Sequence, residues 1–255
     1  MFRVLQKLFA VLPYLYAATV IVIVWQLAVV LTGAHESLLP PPLDTAETFV
    51  SVLLSGELFL HIGMSLGRVL AAWVLGAAVA IPLGLAIGRF PLFERLVDPI
   101  IELFRPISPL AWIPLAILWF GIGESGKIFV IFIATFFPTI LNTVMGVKGV
   151  DPVLIRAGQV LGCRDEPAIF RKIILPAALP SIVVGLRISF GTGWAAIIAA
   201  ELVAAQSGLG YLIADGMEIL RADLVLVGMV AIGIIGVSFD SVFRAIHRRY
   251  GWGGT

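Results

Sequence analysis

Six stretches of this sequence are apolar over roughly the 20 residues that a helix needs to cross the hydrocarbon core of a bilayer. They occupy residues 14–32, 62–88, 107–121, 127–147, 180–205 and 224–246. One soluble core cannot hide so many such runs in a chain of 255 residues. Composition agrees, because only 13% of residues are charged, against about 25% in an average soluble domain. The chain reads as an all-α polytopic membrane protein with about six transmembrane helices, forming a single transmembrane domain over residues 1–255. Arg3 and Lys7 precede the first run as in a secretory signal. That run is too long for a signal core, and no clear cleavage site follows, so it reads as a retained span. The third run, "RPISPLAWIPLAILWFGIG", is short and proline-rich. It reads as one span that begins inside the amphipathic stretch 96–104.

Orientation follows from the positions of Lys and Arg, which favour cytoplasmic segments. With the N-terminus inside, the inner segments hold Arg3 and Lys7, then Arg89, Arg95 and Arg105, then Lys148, Arg156, Arg164, Arg171 and Lys172, then Arg244, Arg248 and Arg249. The outer segments hold Lys127 and Arg221 alone. Both termini are therefore expected in the cytoplasm. The outer loops are acidic, with Glu36, Asp44, Glu47 and Glu57 in the first and Asp215, Glu218 and Asp223 in the last. Asp44 followed by Glu47 and an apolar run predicts a short helix at the outer interface. Glycines crowd the second span (Gly63, Gly67, Gly76, Gly84, Gly88) and the last (Gly228, Gly233, Gly236). Small residues let helix backbones approach closely, as a compact bundle requires.

One hydrophilic insert, at about residues 148–178, interrupts the apolar pattern: "DPVLIRAGQVLGCRDEPAIFRKIILP". Asp151 is placed as an N-cap, with Pro152 at the first helical position. The helix it opens runs to about Leu161, where Gly162 can adopt the left-handed conformation that ends it. A second helix starts at Asp165 and is expected to end before Pro176. Val153, Leu154, Val160 and Leu161 leave an apolar face on the first helix. Such a face, rimmed by charge, is a docking surface.

Charges within spans are costly and turn toward protein or water. Arg68, Arg187, Glu201 and Asp240 are of this kind. Counting 1.5 Å per residue from each span's end puts Arg68 at the depth of Glu201, and Arg187 at that of Asp240. Two ion pairs are expected. Ser189, Thr192 and Trp194, in "SFGTGW", place polar groups near mid-membrane as candidates for a pathway lining. The three histidines, His35, His61 and His247, lie far apart, which argues against a metal site. The single cysteine, Cys163, excludes an intrachain disulfide and a Cys-based metal site. No catalytic grouping is recognisable, and a net charge of +1 suggests no nucleic-acid partner. The chain carries no G-x-x-x-x-G-K-[ST] motif of its own. From the residues alone, a transporter powered by another subunit and a stand-alone ion-coupled transporter or channel both remain open.

The insert resembles the EAA loop of bacterial ABC importer permeases, whose pattern is Glu-Ala-Ala, three residues, Gly, nine residues and Ile-x-Leu-Pro. Arg156-Ala157-Gly158 stands where Glu-Ala-Ala would be, Gly162 falls at the expected place, and Ile173-Ile174-Leu175-Pro176 closes the motif. Two departures are the charge reversal at Arg156 and a spacing of ten rather than nine residues. Three long segments, beginning "LLPPP", "RPISPLAWIPLAILWFGIGESGK" and "LPAALPSIVVGLRISFGTGW", resemble the nitrate/sulfonate/taurine branch of these permeases. The resemblance implies the type I ABC importer permease fold and a location in the bacterial cytoplasmic membrane, among lipid. It implies a homodimer served by two cytoplasmic P-loop ATPases, which would bind ATP and Mg, so this subunit needs no cofactor. An extracytoplasmic binding protein would deliver a small anion or zwitterion. The insert would be the coupling helix, with Asp151, Pro152, Arg156, Ala157, Gly158, Gly162, Cys163, Leu175 and Pro176 at or near the ATPase contact.

Overall fold

The computed structural model describes residues 2–33, 35–163 and 165–249, with side chains for 16–17, 19–33, 35–163 and 165–245. The side chains of Arg3, Lys7, Arg164, His247, Arg248 and Arg249 lie outside the described residues. The regular structure described is helical throughout. In chain order it comprises α1 (Phe2–Thr32), α2 (Pro42–Leu54), α3 (Glu57–Arg89), α4 (Pro91–Phe104), a 3-10 turn (Pro109–Trp112) and α5 (Ile113–Phe120). These lead to α6 (Glu124–Lys148), α7 (Pro152–Val160), α8 (Glu166–Ile169), a π turn (Phe170–Ile174), α9 (Leu175–Ala204), α10 (Leu209–Glu218) and α11 (Ala222–Arg249).

Among the described residues, four helices are long and apolar enough to cross a membrane: Glu57–Arg89, Glu124–Lys148, the continuous run Glu166–Ala204, and Ala222–Ala245. The remaining expected spans have a different form. The first lies on α1, whose described apolar part is Thr19–Thr32. The third is not one straight span over 107–121. Its helix α5 has 8 residues, and it meets α4 at a bend of 82°. Pro106, Pro109 and Pro114 explain the break, since each lacks the N–H that a continuing helix would need.

The centre of the bundle is α6, which packs along both α3 and α9. The α3 seam is a ladder of small residues at four-residue spacing, Gly76, Ala80, Gly84 and Gly88, facing Thr135, Thr139, Thr143 and Val147 of α6. A Cβ on Gly84 would lie 2.8 Å from Thr143 Cβ, and one on Gly88 would lie 2.6 Å from Val147 Cβ. The glycines are therefore what bring the two backbones together, where lipid supplies no hydrophobic drive between helices. The threonine hydroxyls donate back to their own helix, Thr139 to the Thr135 carbonyl at 2.8 Å and Thr143 to that of Thr139 at 2.7 Å. No polar hydrogen is left orphaned at that seam. Gly63, Gly67 and Gly233, by contrast, face open space.

At the outer end, as the charge pattern orients the chain, α2 packs on α11 and α3. Thr48 Oγ1 donates to Asp223 at 2.8 Å. The same carboxylate accepts from Arg221, which raises the Arg221 guanidinium above its ordinary value.

Candidate functional site

The insert forms as its capping residues dictate. The Asp151 side chain accepts from the Val153 N–H at 2.7 Å and opens α7. Gly162 closes the turn at φ +97°. A Cβ on Gly158 would collide with the Ile173 side chain, so the glycine lets α7 lie close on the following helix. Ile155, Cys163, Phe170 and Ile173 pack with Val150, Ile169 and Ile174 beneath it. Cys163 is thus half-buried against the insert's own core. Arg156 and Ala157 are exposed. On the face turned away from that core Val153, Leu154, Val160 and Leu161 are 57%, 51%, 88% and 84% exposed, an apolar surface that no described residue of this chain covers.

The second helix of the insert does not end before Pro176. It continues through the π turn into α9, as one helix of 39 residues from Glu166 to Ala204. Pro176 brings no N–H, and a π turn just ahead of it re-registers the hydrogen bonds across that gap. Leu175 and Pro176 therefore sit inside a continuous rod joining insert to span. An Arg89–Glu166 ion pair ties the end of α3 to the start of that rod.

The intramembrane charges fall into two sites. The first lies where α3, α6 and α9 meet, toward the outer end. Arg68 Nη1 is 2.7 Å from Glu201 Oε1, and Nε and Nη2 reach the Glu124 carboxylate at 2.6 and 2.8 Å. Arg68 also donates to the Ser207 carbonyl at 2.6 Å and the Ser207 hydroxyl at 2.9 Å. The Glu201 side chain is 0% exposed. It accepts from Ser65 Oγ at 2.8 Å and from the Gly210 N–H at 3.0 Å. Beside it the Leu209 N–H donates to Ser65 Oγ, and the Gly208 N–H to His61 Nδ1 at 3.0 Å. That last bond leaves Nε2 as the protonated nitrogen of a neutral His61 ring. The α9–α10 loop is thus folded around one carboxylate.

The second site joins α9 to α11. Arg187 Nη2 is 2.6 Å from Asp240 Oδ1, with side chains 43% and 36% exposed. Arg244 Nη2 approaches the other oxygen of Asp240 at 3.2 Å. Both pairings expected from depth are present within one chain. Ser189 and Trp194 are buried. The Ser189 hydroxyl accepts from Trp73 Nε1 at 3.0 Å, and the Trp194 Nε1 donates to the Ile232 carbonyl at 3.3 Å. In this conformation both serve the bundle, and so does Thr192, which is exposed but whose hydroxyl donates to the Ala134 carbonyl of α6 at 2.8 Å.

Sequence reading missed Glu124 and Ser207 as partners of Arg68, and Ser65, Gly210 and His61 as the groups that hold Glu201 and its loop. Glu124 lies just before the fourth apolar run, 127–147, so counting charges within spans gave it no partner. The signal that could have found the loop is "SGLG", two glycines within four residues immediately after a helix that ends in a buried acid.

A family model described as "Binding-protein-dependent transport system inner membrane component" matches residues 80–252. A Brucella melitensis protein described as a probable ABC transporter permease is 46% identical over 86% of this chain and 89% of its own length. The taurine transport system permease protein TauC of Escherichia coli is 40% identical, covering 90% and 85%. The bicarbonate transport system permease protein CmpB of Synechocystis is 34% identical, covering 90% and 85%. Among solved structures, a chain of the inward-facing MetNI methionine ABC transporter superposes with a TM-score of 0.60 at 21% identity. That match covers 76% of this chain and 97% of that one, and it shows a shared fold.

Proposed function

We infer the working of this protein from one premise: the chain belongs to the binding-protein-dependent transport system inner membrane component family. It is a permease subunit of an ABC importer, a multi-pass inner-membrane protein with the type I permease fold. Beyond that premise, the cargo is read as a small anion or zwitterion of the sulfonate, taurine, nitrate or bicarbonate kind. The named cargoes of TauC and CmpB support this reading. The reading includes a homodimer in one transmembrane domain per chain, with both termini in the cytoplasm. Two P-loop ATPases binding ATP and Mg drive it, and an extracytoplasmic binding protein supplies the cargo.

The observation that carries the coupling role is the bare apolar face of α7 mounted on a continuous rod. Val160 and Leu161 are 88% and 84% exposed, and Gly158 seats α7 against Ile173. A rigid element of this kind passes displacement from a docked partner into α9, which spans the membrane beside α6. The motion of an ATPase closing on ATP would reach the bundle by that route.

Two substitutions test it. Val160→Glu places a charge on the docking face, and the permease should reach the membrane at normal yield without retaining its ATPase on purification. Gly162→Val keeps the face but strains a turn held at φ +97°. That strain is worth about 1–2 kcal/mol and should weaken retention by up to roughly thirtyfold. Full ATPase retention by both variants would remove α7 from the interface.

A further inference from the structure

The two intramembrane arginines are held in opposite ways. Arg68, 4% exposed in its side chain, is saturated by Glu124, Glu201 and Ser207. Arg187 has one partner among the described residues, Asp240, and both of its contacts fall on the same oxygen. Its Nη1 amino group is left without a partner there. The first arginine is a fastening, and the second is a half-used fork.

The surroundings of Arg187 point the same way. It lies within the span Glu166–Ala204, and Asp240 within Ala222–Ala245. Yet the Arg187, Asp240 and Arg244 side chains are 43%, 36% and 50% exposed, so the described residues of this chain do not cover them. An arginine can snorkel along a lipid face to reach water. The short side chain of Asp240 cannot, and a carboxylate in hydrocarbon is too costly to persist there. The face must look onto water or protein. Small residues lie beside the cluster, among exposed apolar ones such as Val184, Ile188 and Val237. Gly191 is exposed one turn from Arg187, and Ser241 is exposed one turn from Arg244. Gly191 faces open space. Two guanidiniums share one carboxylate, so the cluster carries a net positive charge, and a guanidinium fork matches the paired oxygens of an oxyanion.

We propose that Arg187, Asp240 and Arg244 form an anion station on the translocation pathway. A sulfonate, carboxylate or nitrate-like group there takes the free edge of Arg187 and competes with Asp240 for it. The proposal rests on the importer reading above for its substrate, but its location and charge can be tested without that reading.

The first test uses the full-length permease in membrane vesicles, with Cys163→Ser removing the native thiol and Ser241→Cys placing a near-isosteric one on the face. An anionic methanethiosulfonate reagent should react roughly tenfold faster than a cationic one, as a focused positive field requires. Arg187→Gln should abolish that preference. No reaction with either reagent would put the face in lipid or in a sealed interface and overturn the station, as would equal rates. The second test uses proteoliposomes of the complete transporter and ATP-driven uptake of taurine and of bicarbonate. Arg187→Gln should cut uptake by at least about tenfold with subunit assembly unchanged, and Arg187→Lys should recover part of it. Arg187→Gln combined with Asp240→Asn should stay inactive, because an anion site needs its cation. Recovery in that double variant would show a merely structural pair and sink the proposal. Wild-type uptake of a solute with no anionic group in place of these two would also overturn the station while leaving the importer reading intact. Wild-type vesicles with the expected reagent preference but no ATP-driven uptake of either solute would instead overturn the cargo reading.

Discussion

Gly208→Ala should yield little folded protein, although it adds a single methyl group. Gly208 sits at φ +119° and ψ 170°, a region that only glycine occupies without strain of about 1–3 kcal/mol. The added Cβ would also land on the Glu201 carboxylate. That carboxylate cannot step aside, because Arg68, Ser65 and the Gly210 N–H hold it. Overpacking a rigid site costs about a further 1–3 kcal/mol. Gly56→Ala is the control, at φ +82° with nothing within 4 Å of the new Cβ. It carries only the left-handed helical penalty of about 1–2 kcal/mol and no collision. Thermal stability of the two variants in detergent separates the effects. If Gly208→Ala melts no lower than Gly56→Ala, the loop does not wrap Glu201 as described.

Arg68→Met should be similarly damaging, for an electrostatic reason. It strips the cation from Glu201, whose side chain is 0% exposed, and leaves an uncompensated buried charge at a cost of about 3–5 kcal/mol. Glu201→Gln should cost less, because Arg68 keeps Glu124 and Ser207. The double variant Arg68→Met/Glu201→Gln contains no lone buried charge there. It should therefore be more stable than the sum of the single losses by roughly 0.5–3 kcal/mol. Melting midpoints of all four proteins close the cycle. Strict additivity would mean that the two residues do not act on one another, whatever their separation.

Much of the fold was legible before any tertiary structure. A run expected over 62–88 became α3 (Glu57–Arg89), and one over 127–147 became α6 (Glu124–Lys148). Long apolar composition dictates a buried or lipid-facing helix almost without regard to neighbours. The Asp151 cap and the Gly162 turn were legible because both are local: each depends on backbone groups within a few residues. Depth counting also found the partners of Arg68 and Arg187, since opposite charges within hydrocarbon have few alternatives.

The misses share a different character. The α4–α5 region looked like one span because composition does not reveal a bend, and three prolines there can kink a helix or break it. The continuity of α8 with α9 was hidden by Pro176, which normally ends a helix unless a π turn absorbs its missing hydrogen bond. Ser189 and Trp194 were polar or amphipathic enough for a pathway lining, but only packing shows that they point into the bundle.

What the sequence determined by itself, then, was which segments leave water, where the docking insert starts and stops, and how many charges need partners in the membrane. These are properties of single segments, governed by transfer of side chains and by local hydrogen bonding. Tertiary structure alone decided that Glu124, Ser65, His61 and the Ser207–Gly210 loop converge on Arg68 and Glu201, and that Arg187 remains half-free. The Ser65–Glu201 hydrogen bond joins residues 136 positions apart. Its formation depends on how closely α3, α6 and α9 pack, and a glycine ladder written on one helix has no meaning until its threonine counterpart is brought alongside.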